Sequence, residues 1–158
     1  MALLNATRAY GYVVPIMSTF HIRVAEPQDA DALLALATLF ATSFVVHPAA
    51  FQRALSTILA DDHARLLVAT QEPQIVGYLL GCMHTTFYAN GPVAWVEEIT
   101  VAETFRHQGI GRLLVQYFEL WAAARDATLV ALATRRAASF YQALGYTESA
   151  TYFRKLLP

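Results

Sequence analysis

The sequence predicts a mixed α/β (α+β) architecture: a mostly antiparallel central sheet of six to seven strands with helices on both faces. Three observations carry that prediction. Strand-like runs follow one another through residues 65–101 with only turn chemistry between them. A long helical stripe starts at Gly109 and Gly111 and leads into a short apolar run. At 158 residues and 56% hydrophobic, the chain can bury a sizeable core and is too apolar for disorder to prevail.

In chain order, "FHIRVAE" (Phe20–Glu26) alternates apolar and polar residues as a strand does. Glu26, Pro27 and Asp29 supply helix-start chemistry, and Leu33, Leu36, Ala37, Phe40 and Phe44 follow at helical spacing. A second helix begins near Pro48 and covers "AAFQRALSTILA". "RLLVAT" (65–70), "IVGYLLGCMHTTFY" (75–88) and "VAWVEEITV" (Val93–Val101) are strands. "QEPQ" and "NGP" turn the chain between them, giving an antiparallel meander. Ile110, Leu113, Leu114, Tyr117, Phe118 and Trp121 mark one buried helical face. "TLVALA" (Thr128–Ala133) is a short strand, parallel to Val93–Val101 because a helix joins the two. Ala137, Phe140, Tyr141 and Leu144 form a last helical stripe closed by Gly145. "YTESATYFRKLL" supplies one bent strand or two short ones. Residues 1–18 read as an N-terminal extension, with Met17 a natural start, and 19–158 as one domain.

Composition narrows the function classes. A net charge of -1 argues against a protein that grips nucleic acid through its phosphates. No run approaches the roughly 20 apolar residues of a membrane span. The single cysteine, Cys82, excludes an internal disulfide and fits a reducing, cytoplasmic setting. It sits in an apolar run and reads as an inert buried thiol. No histidine pair has ligand spacing, so no metal is expected.

A glycine-rich turn from strand to helix suits a phosphate. Glycine lets the backbone approach closely, the first helical N–H groups lack internal partners, and the helix dipole is positive there. "TFRHQGIGRLLVQYF" (Thr104–Phe118) is such a turn. It lacks the Gly-Lys-Ser/Thr of a Walker loop, and Leu114 stands where a dinucleotide fingerprint needs its third glycine.

"RHQGIG" matches the Arg/Gln-x-x-Gly-x-Gly/Ala loop of the Gcn5-related N-acetyltransferase (GNAT) family. From about Phe20 to Leu157 the chain resembles that family in order: "IRVAEPQDADALLAL" is similar to its opening strand and helix, "VEEITVAETFRHQGIGRLL" to its fourth strand and cofactor loop, and "AASFYQALGYTES" to its penultimate helix and strand. The resemblance implies the GNAT fold and acetyl-CoA as cosubstrate. It implies a pyrophosphate on the amides of His107, Gln108, Gly109, Ile110, Gly111 and Arg112. It also implies a pantetheine arm along the backbone of Ile99, Thr100 and Val101, in a gap between the fourth and fifth strands. Arg106, Arg112, Arg135 and Arg136 could meet the phosphates on this reading, but any one of them reads first as a solvated surface arginine. Thr134 stands where many relatives have an asparagine that bonds the cofactor arm; its hydroxyl is a partial substitute.

Acetyl transfer to an amine needs a base. A lysine-like ammonium titrates near 10.4, so at pH 7 the neutral nucleophile is scarce by about 3.4 pH units, roughly 4.6 kcal/mol. Glu97 and Glu98 lie side by side in an apolar strand, and a strand sends neighbours to opposite faces unless a bulge redirects one. By position in the family, Glu97 is the base and Glu98 the amine-binding group, with the exchange of these roles left open. Tyr141 belongs to an apolar stripe, and the family match assigns it as the acid that protonates the leaving thiolate. His84, late in the third strand, reads as a hydrogen-bonded structural histidine, although with Tyr88 it stands toward the acceptor side. Phe44–Phe51, with His47, should shape the acceptor pocket for a small-molecule amine or a peptide. The exposed strand ends and apolar tail suggest a homodimer. The alternative is a non-catalytic CoA-binding module with the same fold.

Overall fold

The computed structural model describes residues 20–41 and 43–157, so the extension placed at 1–18 and its boundary lie outside the described residues. The elements are β1 (His21–Val24), α1 (Ala30–Phe40), α2 (Pro48–Ala60), β2 (Ala64–Gln71), β3 (Gln74–Thr86), β4 (Gly91–Val101), α3 (Ile110–Ala123), β5 (Leu129–Leu132) and α4 (Ala138–Gln142). They build one sheet in the order β1-β2-β3-β4-β5. The first three pairings are antiparallel, as the short turns require, and β4 and β5 are parallel across the α3 crossover.

Strand alternation sorts the apolar side chains into two cores. Leu67, Ala69, Val76, Leu79, Ala94 and Val96 meet Ile110, Leu114, Val115, Phe118 and Trp121 of α3. On the other face Leu66, Val68 and Tyr78 meet Leu33, Leu36 and Leu55 of α1 and α2. The sheet is therefore a partition with helices on both sides, as expected. At the entry to α1, Arg23 makes a two-pronged bond to Asp29, at 2.7 and 2.8 Å, while the amide of Glu26 donates to the same carboxylate. The guanidinium hydrogen bond holds the buried Asp29 carboxyl below its ordinary range.

Two expectations are corrected. Among the described residues the sheet has five strands, not six to seven. "YTESATYFRKLL" supplies no strand to it, because a strand needs a ladder partner and a face to bury. The amide of Tyr146 turns back to the carbonyl of Tyr141, and beyond it Phe153 and Leu157 are 87% and 83% exposed. The third strand also stops at Thr86, with Phe87–Asn90 in a turn. Among the described residues no helix is long and apolar enough to cross a membrane.

Candidate active site

The β4–β5 ladder runs from Val93–Leu129 to Val96–Leu132 and no further, whereas β4 continues to Val101. The last residues of β4 therefore keep one edge without a strand partner. Alternation of the antiparallel ladder decides which backbone groups use that edge. The amide of Ala102 bonds Val76, so Thr100 also points its backbone toward β3, while Ile99 and Val101 point theirs away. This corrects the expectation for Thr100, whose N–H and C=O belong to the sheet. Arg106 donates from Nε to the carbonyl of Val101 at 3.1 Å, which places its head along this edge.

The register of β3 and β4 slips at the same place. Val96 pairs with Gly81 and Glu98 with Leu80, so Glu97 is the extra residue of a β-bulge. Gly81 makes the slip possible: a Cβ there would lie 2.3 Å from the ring of Phe118. The bulge overrides the alternation that would separate the two glutamates. The hydroxyl of Tyr78, in the core beneath α1 and α2, donates to Glu98 Oε2 at 2.6 Å. Glu97 Oε1 lies 3.8 Å from the sulfur of Cys82, which shares the Tyr78 side of β3 by alternation. Both carboxylates thus stand on the α1–α2 side, Glu97 exposed and Glu98 half-buried. Ile99 and Val101 resume packing against the α3 core.

Cys82 is half-buried rather than buried. Burial first, then the neighbouring Glu97, pushes its thiol above the ordinary range. That opposes the thiolate a covalent acetyl carrier would need.

The loop after β4 is shaped for close approach. His107 and Gly109 both have left-handed backbones, with φ of 63° and 83°. Gly109 is the residue before α3 and has no side chain with which to cap it. The first helical bond runs from Leu113 to Gly109 at 3.0 Å, which leaves the amides of Ile110, Gly111 and Arg112 ahead of it. Ile110 can offer only its backbone, because its side chain is in the core. Gln108 folds back, its side chain donating to the carbonyl of Thr104.

A groove of about 2630 Å³ joins these parts. Its wall includes Glu97, Glu98, Ile99, Thr100, Val101, Arg106, His107, Thr134, Arg135, Arg136 and Tyr141, but not residues 108–112. Phe44, Val45, His47 and Phe51 also line it. His84 and Tyr88 are exposed and outside the groove wall, so neither the acceptor role nor the structural hydrogen bond is found for His84 among the described residues. Tyr141 is 7% exposed, between the rings of Phe140 and Tyr146. Burial raises its hydroxyl above the ordinary tyrosine value, so at neutral pH it carries its proton. Thr134 accepts a bond from the amide of Ala137 at 3.1 Å, opening α4, and keeps its own hydroxyl proton to donate. Tyr78 and Glu119 are groove residues that sequence reasoning passed over. Glu119 receives the hydroxyl of Tyr146 at 2.9 Å, and burial raises its carboxyl. Among the described residues no three His, Cys, Asp or Glu side chains gather as a metal site would require.

The family model described as acetyltransferase (GNAT) domain matches residues 62–148, which span β2 to the end of α4 and hold the bulge and the glycine loop. The chain belongs to the GNAT acetyltransferase family. Aminoglycoside N(6')-acetyltransferase type 1 of Acinetobacter baumannii is 31% identical to it over 142 residues, covering 84% of this chain and 94% of that protein. Among solved structures, a putative acetyltransferase from Agrobacterium tumefaciens superposes with a TM-score of 0.78 at 23% identity, over 87% of this chain and 99% of its own. AAC(6')-Iy, in complex with the bisubstrate analog CoA-S-monomethyl-acetylneamine, superposes at 0.72 and 19% identity, over 89% of this chain and 100% of its own. At those identities the two structures establish the fold alone. Family membership and the sequence relative support an enzyme, an N-acetyltransferase.

Proposed function

We propose that this GNAT acetyltransferase moves an acetyl group directly from acetyl-CoA to a primary amine of a small molecule or peptide, within a ternary complex. The observation that carries the proposal is the bulge at Glu97. It brings two carboxylates to one face of β4, beside the stretch where that strand has lost its β5 neighbour.

The residues fit a CoA thioester. Amides at the start of α3, Ile110, Gly111 and Arg112, face no internal acceptor and favour a diphosphate. Ile99 and Val101 offer strand-edge groups to the amide-bearing arm, and Thr134 a hydroxyl. Arg106, Arg135 and Arg136 supply positive charge to this end of the groove, and His107 lines it beside them. The cosubstrate brings the activated acetyl group. Glu98 seats the amine as an ammonium, and Glu97 takes its proton. The amine lone pair then attacks the thioester carbonyl, the C–S bond breaks, and the departing sulfur takes a proton from Tyr141; the second N–H proton, lost as the neutral amide forms, passes through solvent and restores the Tyr141 hydroxyl.

An acceptor wall of Phe44, Val45 and Phe51 favours an amine with an apolar flank. The A. baumannii relative is by name an aminoglycoside acetyltransferase, which makes an aminosugar amine the second reading. One domain over 19–158, a cytoplasmic setting and a homodimer through the exposed tail complete the proposal. A thiol-release screen of acetyl-CoA against aliphatic amines, amino acids, peptides and aminoglycosides tests it. Release with at least one amine is expected. Release with none, from protein that binds acetyl-CoA, would overturn the catalytic assignment.

A further inference from the structure

We infer that Tyr78 is the positioning residue for Glu98, and that the bond between them gives the two neighbouring carboxylates different tasks. The inference rests on the acetyl-transfer reading above.

Tyr78 stands in the middle of β3 and is 3% exposed, packed with Leu33, Leu36, Leu55, Leu66 and Val68 from two helices and a strand. A hydroxyl at that depth must be paired, and the acceptor present is Glu98 Oε2 at 2.6 Å. That length is typical of a hydroxyl donating to an ionised carboxylate. Burial first and the Glu98 charge second hold the Tyr78 proton well above the ordinary tyrosine range, so it stays a donor.

The consequence falls on Glu98. Were its carboxylate to swing away, a buried hydroxyl would be left without a partner, at a cost larger than the bond's own net value. One carboxylate oxygen is thereby fixed, and the other remains for a ligand in the groove. Glu97 has no such tether. Its one polar contact among the described residues is the weak thiol donor of Cys82 at 3.8 Å, and the side chain is exposed. The bulge places both on one face, and the Tyr78 bond falls on one of them alone. With it, the anchored carboxylate is the fixed seat and the untethered one is free to follow a proton. A fixed anionic seat selects an acceptor that arrives as a cation: an aliphatic ammonium rather than a neutral arylamine or an alcohol.

The test is a double-mutant cycle on the intact chain, using whichever aliphatic amine the thiol-release screen returns. Tyr78→Phe should raise KM for the amine about tenfold, with kcat within twofold and the acetyl-CoA Kd unchanged. In a Glu98→Gln background the same substitution should add less than twofold, because the group it positions is gone. A general loosening of the core would instead act equally in both backgrounds. Equal effects in the two backgrounds, or a change in kcat with KM intact, would overturn the inference while leaving acetyl transfer standing. Should Tyr78→Phe not fold, Glu98→Asp withdraws the carboxylate from the hydroxyl and should give the same rise in KM; no rise would be equally damaging. If the native chain binds acetyl-CoA and acetylates no amine, the acetyl-transfer reading itself fails and the inference falls with it.

Discussion

From Val93 to Val96, β4 has a strand on both edges, β3 and β5; from Ile99 to Val101 its one strand neighbour among the described residues is β3. Both halves send apolar residues to the α3 core, Ala94 and Val96 in the first and Ile99 and Val101 in the second. The difference is therefore not one of hydrophobicity. It comes from the end of β5 at Leu132 and from one extra residue, Glu97, admitted by the glycine opposite. A sheet turns from scaffold to site when one neighbour leaves and a bulge changes which side chains share a face.

Glu97→Gln is the most severe way to break the working half. It should lower kcat about 10²–10⁴-fold. Thermal unfolding should not change, since the side chain is exposed, and a turnover assay beside a melting curve checks both.

Gly81→Ala attacks the bulge itself. The new Cβ has no space against Phe118 and the carbonyl of Trp95, so the strand or the ring must shift. A loss of about 3 kcal/mol in denaturant unfolding is expected, the upper end of the usual overpacking cost. Residual folded protein should have a raised amine KM, because Glu98 moves with the register.

Asp29→Asn sharpens the comparison by acting on scaffold alone. Removing the charge from the pair with Arg23 should cost about 2 kcal/mol. The acetyl-CoA Kd should not move. Folding lowers the Asp29 pKa, so the pair stabilises the native chain above the ordinary carboxyl value of 3.8, and that stability is lost as pH falls through the folded value. The gap in Tm between native and Asp29→Asn protein should accordingly close in acid.

Gly109→Ala has the smallest expected effect on stability, about 1 kcal/mol, from a side chain at φ 83° with open space around it. It should weaken acetyl-CoA binding by calorimetry more than it lowers Tm. The reverse would mean that the loop serves the helix and not a ligand.

Much of this site was legible in the sequence because it is local. The strand, the glutamate pair, the glycine loop and the helix lie within one run from Val93 to Trp121, and their spacing survives folding unchanged. Contacts that depend on the partner strand were not legible. Tyr78 reads as one more apolar strand residue until the register sets it diagonal to Glu98. The bulge left one trace, Gly81 inside a strand, where a glycine often marks a bulge or a close approach. Thr100 was misjudged because neighbouring residues expose their backbone groups to opposite edges. The strand expected of residues 146–157 is absent because composition shows what a segment could bury, not whether a partner is there to bury it.

Calorimetric titration of acetyl-CoA into the native chain and into Glu97→Gln, followed by thiol release with the best amine, tests the central claim most directly. One site of equal affinity in both proteins, with turnover confined to the native chain, is the predicted result. Absence of binding in both, or undiminished turnover by Glu97→Gln, would contradict it.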